Sequence, residues 1–179
     1  MLQKSSIART AEVFFVNPTK SHYLTDISRN IGIAHTSVKK NLLALVKLGL
    51  VGEKVERRGG RKFPIYVAKR DEKAFRLQKK VYNFASILES GMVEYLEEKL
   101  TPKAIILFGS YRRGEDVESS DIDIFVECAD EPVNVTQFEK KLGRKIELHF
   151  KEDFTTYSKE LKNNIINGIV LSGFLEGYR

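Results

Sequence analysis

The chain has one cysteine and four prolines, and no apolar run approaching the ~18 residues that a membrane-spanning helix needs. The single Cys128 excludes an internal disulfide framework and fits a reducing compartment; beside an apolar strand it reads as a small buried hydrophobe. The opening MLQKSSIARTAEVFF lacks the apolar centre of a secretion signal, so the protein is expected to be soluble and cytoplasmic. Histidines are few as well. His22 and His35 have no cysteine or second histidine at ligand spacing, so both read as surface residues and not as metal ligands. No internal repeat or low-complexity tract interrupts the chain.

What is present suffices for packed cores: 42% of the residues are hydrophobic and 10% aromatic. A length of 179 residues suits two small domains or one ordinary one. The net charge of +6 is unevenly spread, with 14 Lys and Arg against 4 Asp and Glu in residues 1–70, and 16 against 20 in residues 71–179. A basic module and a mildly acidic one point to different partners, and the basic one attracts polyanions such as nucleic acid. A merely solvated surface has the same composition, so charge alone does not decide.

Ile7, Ala11, Phe14 and Phe15 recur at helical spacing until Asn17-Pro18, where proline disfavours helix in the residue before it. A second, short helix is expected from Leu24 to near Gly32, with Thr25 as N-cap. A third runs from about His35-Thr36 to Gly49 and buries Val38, Leu42, Leu45 and Val46. The period then changes to two. Val51, Val55, Phe63, Ile65 and Val67 alternate with polar residues around Gly59-Gly60, the signal of a hairpin, and Pro64 marks the second strand as short or at an edge.

Three helices followed by a hairpin, through LTDISRNIGIAHTSVKKNLLALVKLGLV, resemble the winged helix-turn-helix family over residues ~5–69. The resemblance implies binding to double-stranded DNA. It would place His35, Thr36, Ser37, Lys39 and Lys40 toward the major groove, and Arg57, Arg58, Arg61 and Lys62 at the tip of the wing, near phosphates or the minor groove. From Asp71 to Leu100 the pattern is one long helix or two, with a break or kink at Ser90-Gly91. Phe75, Val81, Tyr82, Ala85, Leu88, Met92, Leu96 and Leu100 mark one face. That face either packs on the next domain or pairs with a second subunit, making a homodimer.

The chemistry is concentrated downstream. Ala104-Ile105-Ile106-Leu107-Phe108 reads as a strand covered on both faces, ended by a Gly109-Ser110 turn whose N–H groups suit phosphate oxygens. In Asp121-Ile122-Asp123-Ile124-Phe125-Val126 the two aspartates point to one side of a strand, where a divalent cation such as Mg²⁺ removes the cost of their repulsion. Ile146, Leu148 and Phe150 alternate with Glu147 and His149. If that strand lies beside the Asp121 strand, Glu147 becomes a third carboxylate of the pocket. His149 is read as structural or as a substrate contact. A closing helix with Tyr157, Leu161, Ile165 and Ile166, and then a short strand from Ile169, finish the domain.

Gly109-Ser110, ten residues, then Asp121-x-Asp123 resembles the GS-x10-DxD signature of the polymerase-β-like nucleotidyltransferase superfamily. GSYRRGEDVESSDIDIFV is similar to its minimal nucleotidyltransferase branch, and the likeness covers residues ~90–175. It implies that Gly109, Ser110, Arg113 and Ser120 bind the nucleotide, and that Asp121, Asp123 and Glu147 are catalytic and hold Mg²⁺ or Mn²⁺. The substrate would be a nucleoside triphosphate, ATP before others, whose monophosphate passes to an acceptor hydroxyl with release of pyrophosphate. Minimal nucleotidyltransferases of this kind often work with a small helical partner protein. Two positions depart from the family: Arg112 replaces a small residue and is taken as exposed, and Glu147 replaces the more usual aspartate.

The expected fold is therefore α+β: an N-terminal winged helix-turn-helix (1–70), a helical connector (71–100) and a small α/β nucleotidyltransferase domain with a mixed sheet (101–179). Two functions stay open: an enzyme coupled to DNA, or a DNA-binding transcriptional regulator whose second domain senses nucleotide without turnover.

Overall fold

The computed structural model describes residues 4–152 and 154–176, so the first three residues of the N-terminal segment lie outside it. The chain divides into two compact units, Met1–Tyr82 and Asn83–Arg179.

In the first unit, helix α1 (Ser6–Val16) is capped by the Ser5 hydroxyl, which accepts from the Ala8 N–H. After a two-residue strand β1 (Ser21–His22) come α2 (Leu24–Ile31) and α3 (His35–Lys47). Thr25 lies inside α2 and not at its cap; Tyr23 takes that position and makes no side-chain cap bond. Phe14, Ile27, Val38, Leu42 and Leu45 form the centre of this core, together with Phe15 and Phe75. Burying side chains of this kind stabilises by roughly 1.5–3 kcal/mol each. Val46 is only half-buried, because Leu42 and Leu45 occupy the centre of the stripe.

Strands β2 (Val51–Arg58) and β3 (Arg61–Ala68) pair antiparallel from Val51↔Ala68 to Arg58↔Arg61. The connecting Gly59 and Gly60 have φ of +54° and +77°, the pair of left-handed residues that a two-residue hairpin turn requires. The strand order β1-β3-β2 makes the eight-residue β3 central, against the expectation of a short or edge strand. The reason lies in the length of β1, which flanks β3 only at Tyr66 and Val67. At Pro64 the outer side of β3 has no neighbouring strand, so a missing N–H is tolerated there.

Helix α4 (Lys73–Ser90) ends where Gly91 separates it from α5 (Met92–Leu100), so the connector is two helices. Its buried row is Phe75, Lys79, Asn83 and Ile87, in steps of four. The expected stripe is therefore corrected in part: Val81 and Leu88 fall off that row and are 58% and 40% exposed, alongside Leu77 at 56%. Asn83 fits a buried place because its Nδ2 donates to both Tyr111 O and Asp116 Oδ1, each at 2.8 Å.

The second unit is built on a four-stranded mixed sheet in the order β6-β5-β4-β7: β4 (Ala104–Phe108), β5 (Ile122–Val126), β6 (Ile146–Phe150) and β7 (Ile169–Gly173). β4 runs antiparallel to β5 and β7, and β5 runs parallel to β6. The parallel pair needs a crossover, which carries α7 (Thr136–Leu142). One face of the sheet buries Ile105, Leu107, Ile122, Ile124, Val126 and Ile146 in a cluster with Ile87, Met92, Leu96 and Phe138. The other gathers Ala104, Ile106, Phe108 and Phe125 with Phe154 and with Ile165 of α8 (Lys159–Ile166). All five residues of β4 are buried, as expected of a strand covered on both sides. The α+β class and the mixed sheet thus agree with the expectation from sequence. In the closing segment Ile165 is buried, whereas Ile166 is exposed and Tyr157 lies ahead of the helix. Among the described residues no helix is long and apolar enough to cross a membrane.

Candidate active site

β4 ends at Phe108 and the chain turns at once into the five-residue helix α6 (Gly109–Arg113). The return through residues 114–121 leads into antiparallel pairing that sets Asp123 opposite Phe108. Ten residues between Gly-Ser and Asp-x-Asp are thus the length of one short helix and a return loop. The approach is close: Gly109 has φ +70°, and a Cβ there would lie 1.9 Å from Asp123 Oδ2. Only glycine leaves room for that carboxylate.

β6 contributes the rest. Its parallel register sets Glu147 beside Asp123 and His149 beside Phe125. The apolar alternation holds this register, since a slip of one residue would drive Ile146, Leu148 and Phe150 out of the core and the polar pair into it. Asp123, Glu147 and His149 each present one donor atom within 4.8 Å of the others, the spacing that a divalent cation can draw together. His149 Nε2 lies 3.7 Å from Asp123 Oδ1 and 3.8 Å from Glu147 Oε1.

The imidazole is held more basic than an ordinary histidine. The Asp123 side chain facing it is the largest cause; burial opposes the shift, and the Glu147 charge adds to it. At 3.7 Å the Asp123 pair is longer than a closed hydrogen bond, so charge attraction is the better description of that pull. Asp121 stands apart from the triplet. It is exposed one residue before β5 and, with Ser120, Lys140 and Lys145, lines an open groove of ≈ 620 Å³.

The remaining residues expected at the nucleotide have defined places. Gly109 and Ser110 are half-buried at the start of α6. Arg113 is exposed, and its Nε donates to Glu115 Oε2 at 2.7 Å. Ser120 Oγ accepts from the Val117 N–H at 2.9 Å, bracing the loop that leads to Asp121. Arg112 is not exposed as expected but half-buried, with its Nε shielded from solvent.

Sequence reasoning missed the support beneath this loop. Asp116 is buried, accepts from Asn83, and faces Arg144 Nη2 at 3.7 Å, while Arg144 Nη1 donates to Glu118 O at 3.1 Å. Glu115-Asp116-Val117-Glu118 has the composition of an ordinary polar loop. Only the fold shows that Asp116 and Arg144, 28 residues apart in the numbering, clamp the loop. Cys128 is half-buried, and its thiol is pushed up by burial and by Glu131, Asp130 and Glu152, away from a reactive thiolate.

In the first unit, His35, Thr36, Ser37, Lys39 and Lys40 are all exposed on α3, while Val38 between them is fully buried. Arg57, Arg58, Arg61 and Lys62 are exposed around the hairpin turn. Arg58 is already engaged: its Nε lies 2.9 Å from Glu56 Oε2, and its guanidinium stacks 5.2 Å from the centre of the Tyr23 ring.

Residues 91–175 match the family described as "Polymerase beta, Nucleotidyltransferase". Three proteins of Methanocaldococcus jannaschii are similar to the chain, each named "Putative protein adenylyltransferase". MJ0128 is 44% identical over 31% of this chain and 63% of its own length. MJ1379 is 43% identical over 32% and 65%, and MJ1215 is 43% identical over 34% and 71%. The chain thus spans just under two thirds of the first two relatives. A solved structure titled "Possible transcriptional regulator from Methanosarcina mazei Go1" is 17% identical, covering 52% of this chain and 79% of that one; its TM-score of 0.37 is too low to carry an argument. The match to the family over residues 91–175, with the identity to MJ1215 over most of that protein, establishes that the chain belongs to the polymerase beta nucleotidyltransferase family.

Proposed function

We propose that the protein transfers a nucleoside monophosphate, from ATP before other triphosphates, to an acceptor hydroxyl, and that its first unit is a winged helix-turn-helix that binds double-stranded DNA. The observation that carries the enzymatic reading is the seating of Asp123 on the Gly109 backbone with Glu147 beside it in register. A carboxylate pair at the end of a turn that leaves no room for side chains is what a metal-bound triphosphate needs.

Asp123 and Glu147 would hold Mg²⁺ or Mn²⁺ as they stand, and Asp121 would join them by turning from its groove toward the ion. When bound, the cation neutralises triphosphate charge and acidifies the attacking hydroxyl. Gly109 and Ser110 meet the β- and γ-phosphates, with Arg113 and Ser120 at the edge of the phosphate site. The acceptor oxygen forms a bond to the α-phosphorus as the bond from that phosphorus to the bridging oxygen breaks. Pyrophosphate leaves, and the acceptor proton passes to Glu147, the most exposed member of the triplet. The names of the relatives favour a protein as acceptor, which suits a small helical partner.

For DNA, the supporting observation is that all nine residues assigned to contact are exposed, on one helix and one hairpin tip of a strongly basic unit. We assign the exposed row Leu77, Val81 and Leu88 of α4 to a homodimer contact, since its steps of four and seven match a paired-helix seam.

The test is incubation with ATP labelled at the α-phosphate, Mg²⁺ and candidate acceptors. Label should appear on the acceptor with the wild type and not with the Asp121→Ala, Asp123→Ala double variant. Transfer that survives in the variant would refute the site. Nucleotide binding without transfer, coupled to altered DNA affinity, would favour the sensing regulator.

A further inference from the structure

A metal site of carboxylates alone suits Mg²⁺, which takes oxygen donors, but this pocket also contains a nitrogen. His149 projects from β6 on the same side as Glu147, and its ring packs edge-on against Phe108 with centroids 5.1 Å apart. That contact fixes the ring one residue from Gly109, with Nε2 directed at both carboxylates.

Nε2 is shielded from solvent and has no hydrogen-bond partner among the described residues. Its distances to Asp123 Oδ1 and Glu147 Oε1, 3.7 and 3.8 Å, are too long for hydrogen bonds. They are close to what a shared cation produces: two donors ~2.1 Å from one ion are separated by ~3.0 Å at a right angle and ~3.4 Å at the tetrahedral angle. A small inward movement of the two carboxylates closes the set.

Resting on the reading of this pocket as a nucleotidyltransferase site, we propose that His149 is itself a metal ligand, making a mixed site of one imidazole nitrogen and two carboxylates that selects Mn²⁺ or a later transition metal over Mg²⁺. Imidazole raises affinity along the series from Mn²⁺ toward Zn²⁺ and does little for Mg²⁺, which holds its waters tightly. A phenylalanine or valine at 149 would leave an oxygen-only site with no such preference. The competing account, in which a protonated His149 merely offsets the two carboxylates, places a cation in the same gap but gives no bond from nitrogen to metal.

Pulsed electron paramagnetic resonance of Mn²⁺ bound to the full chain separates the two. The sample holds Mn²⁺ alone and then with a non-hydrolysable ATP analogue, once with ordinary histidine and once with ¹⁵N-histidine. The expected result is a nitrogen coupling that changes with the isotope and disappears in His149→Gln while Mn²⁺ stays bound. Calorimetry should give Mn²⁺ roughly 10-fold tighter than Mg²⁺ in the wild type, with the gap closing in the variant. The isotope comparison needs no variant, so it stands even if His149→Gln folds poorly. Mn²⁺ bound without histidine nitrogen coupling overturns the inference and leaves the Asp123–Glu147 site intact. Coupling that persists in the variant and still follows the histidine isotope assigns the nitrogen to His22 or His35 and also overturns it. If neither cation binds with the analogue, the reading of the pocket fails, and the inference with it.

Discussion

The candidate contact surfaces of the two units handle charge in opposite ways. On α3 and the hairpin of the first, the cations lie outside: Lys39, Lys40, Arg57, Arg61 and Lys62 are exposed, whereas Lys79 of the same unit is buried on α4. In the second, the notable charges are partly or wholly withdrawn. Asp123 and His149 are half-buried at strand positions, and Asp116 and Arg144 are packed under the loop. Exposed charges act additively through a screened field, and no single one matters greatly. Withdrawn charges depend on each partner, because removing one leaves the other with an uncompensated desolvation cost. The first arrangement suits a long polyanion met at many points. The second suits one triphosphate met at one point.

Single substitutions should therefore be severe in the second unit and mild in the first. The largest effect is expected for Asp123→Asn, which should lower nucleotide transfer roughly 100- to 1,000-fold in an initial-rate assay and leave DNA affinity unchanged. Next, Asp116→Ala removes the buried carboxylate that accepts from Asn83 and faces Arg144, leaving them Tyr111 O and Glu118 O under the loop. It should cost about 3 kcal/mol in chemical denaturation; a loss below about 1 kcal/mol would show that the clamp contributes little. Replacing Lys39, Lys40, Arg58 and Arg61 together by alanine should weaken DNA binding and flatten the dependence of log K on log salt by about 0.9 for each phosphate that is no longer neutralised. An unchanged slope would remove the DNA assignment, and Arg58, already paired with Glu56, should contribute least of the four.

The smallest effect is in pH. His149 has its pKa raised, so in the metal-free chain its contribution to stability is fully present below the ordinary histidine value of 6.5 and is lost as pH rises through the raised value. Following the ring protons by NMR should show a titration above that of an exposed histidine, moving down in Asp123→Asn. A midpoint unaffected by that change would mean that Asp123 does not hold the imidazolium.

Much of this was legible in the sequence where a local rule operates. Gly59-Gly60 announces its turn and β4 announces its double burial, whereas the spacing from Gly109 to Asp123 is legible only as a family signature, and the helix α6 behind it is not. The placement of Glu147 beside Asp123 was a conditional reading that the parallel register realises. What stayed hidden depends on contacts between distant residues. Pro64 misled because β3 is central at Tyr66 but unflanked at Pro64, and strand order is not written in the strand itself. Val81 and Leu88 look like core residues by hydrophobicity, whereas Lys79 and Asn83 hold the buried row, Asn83 because Asp116 and Tyr111 accept its amide protons. The Asp116–Arg144 pair has no sequence signature at all.

The most direct test of the central claim compares ATP labelled in the α-phosphate with ATP labelled in the γ-phosphate, using the full chain, a divalent cation and an acceptor protein. The geometry around Gly109, Asp123 and Glu147 predicts that only the α-label reaches the acceptor, with one pyrophosphate released per transfer. Label arriving from the γ-phosphate, or nucleotide held with no pyrophosphate released for any acceptor, would contradict it.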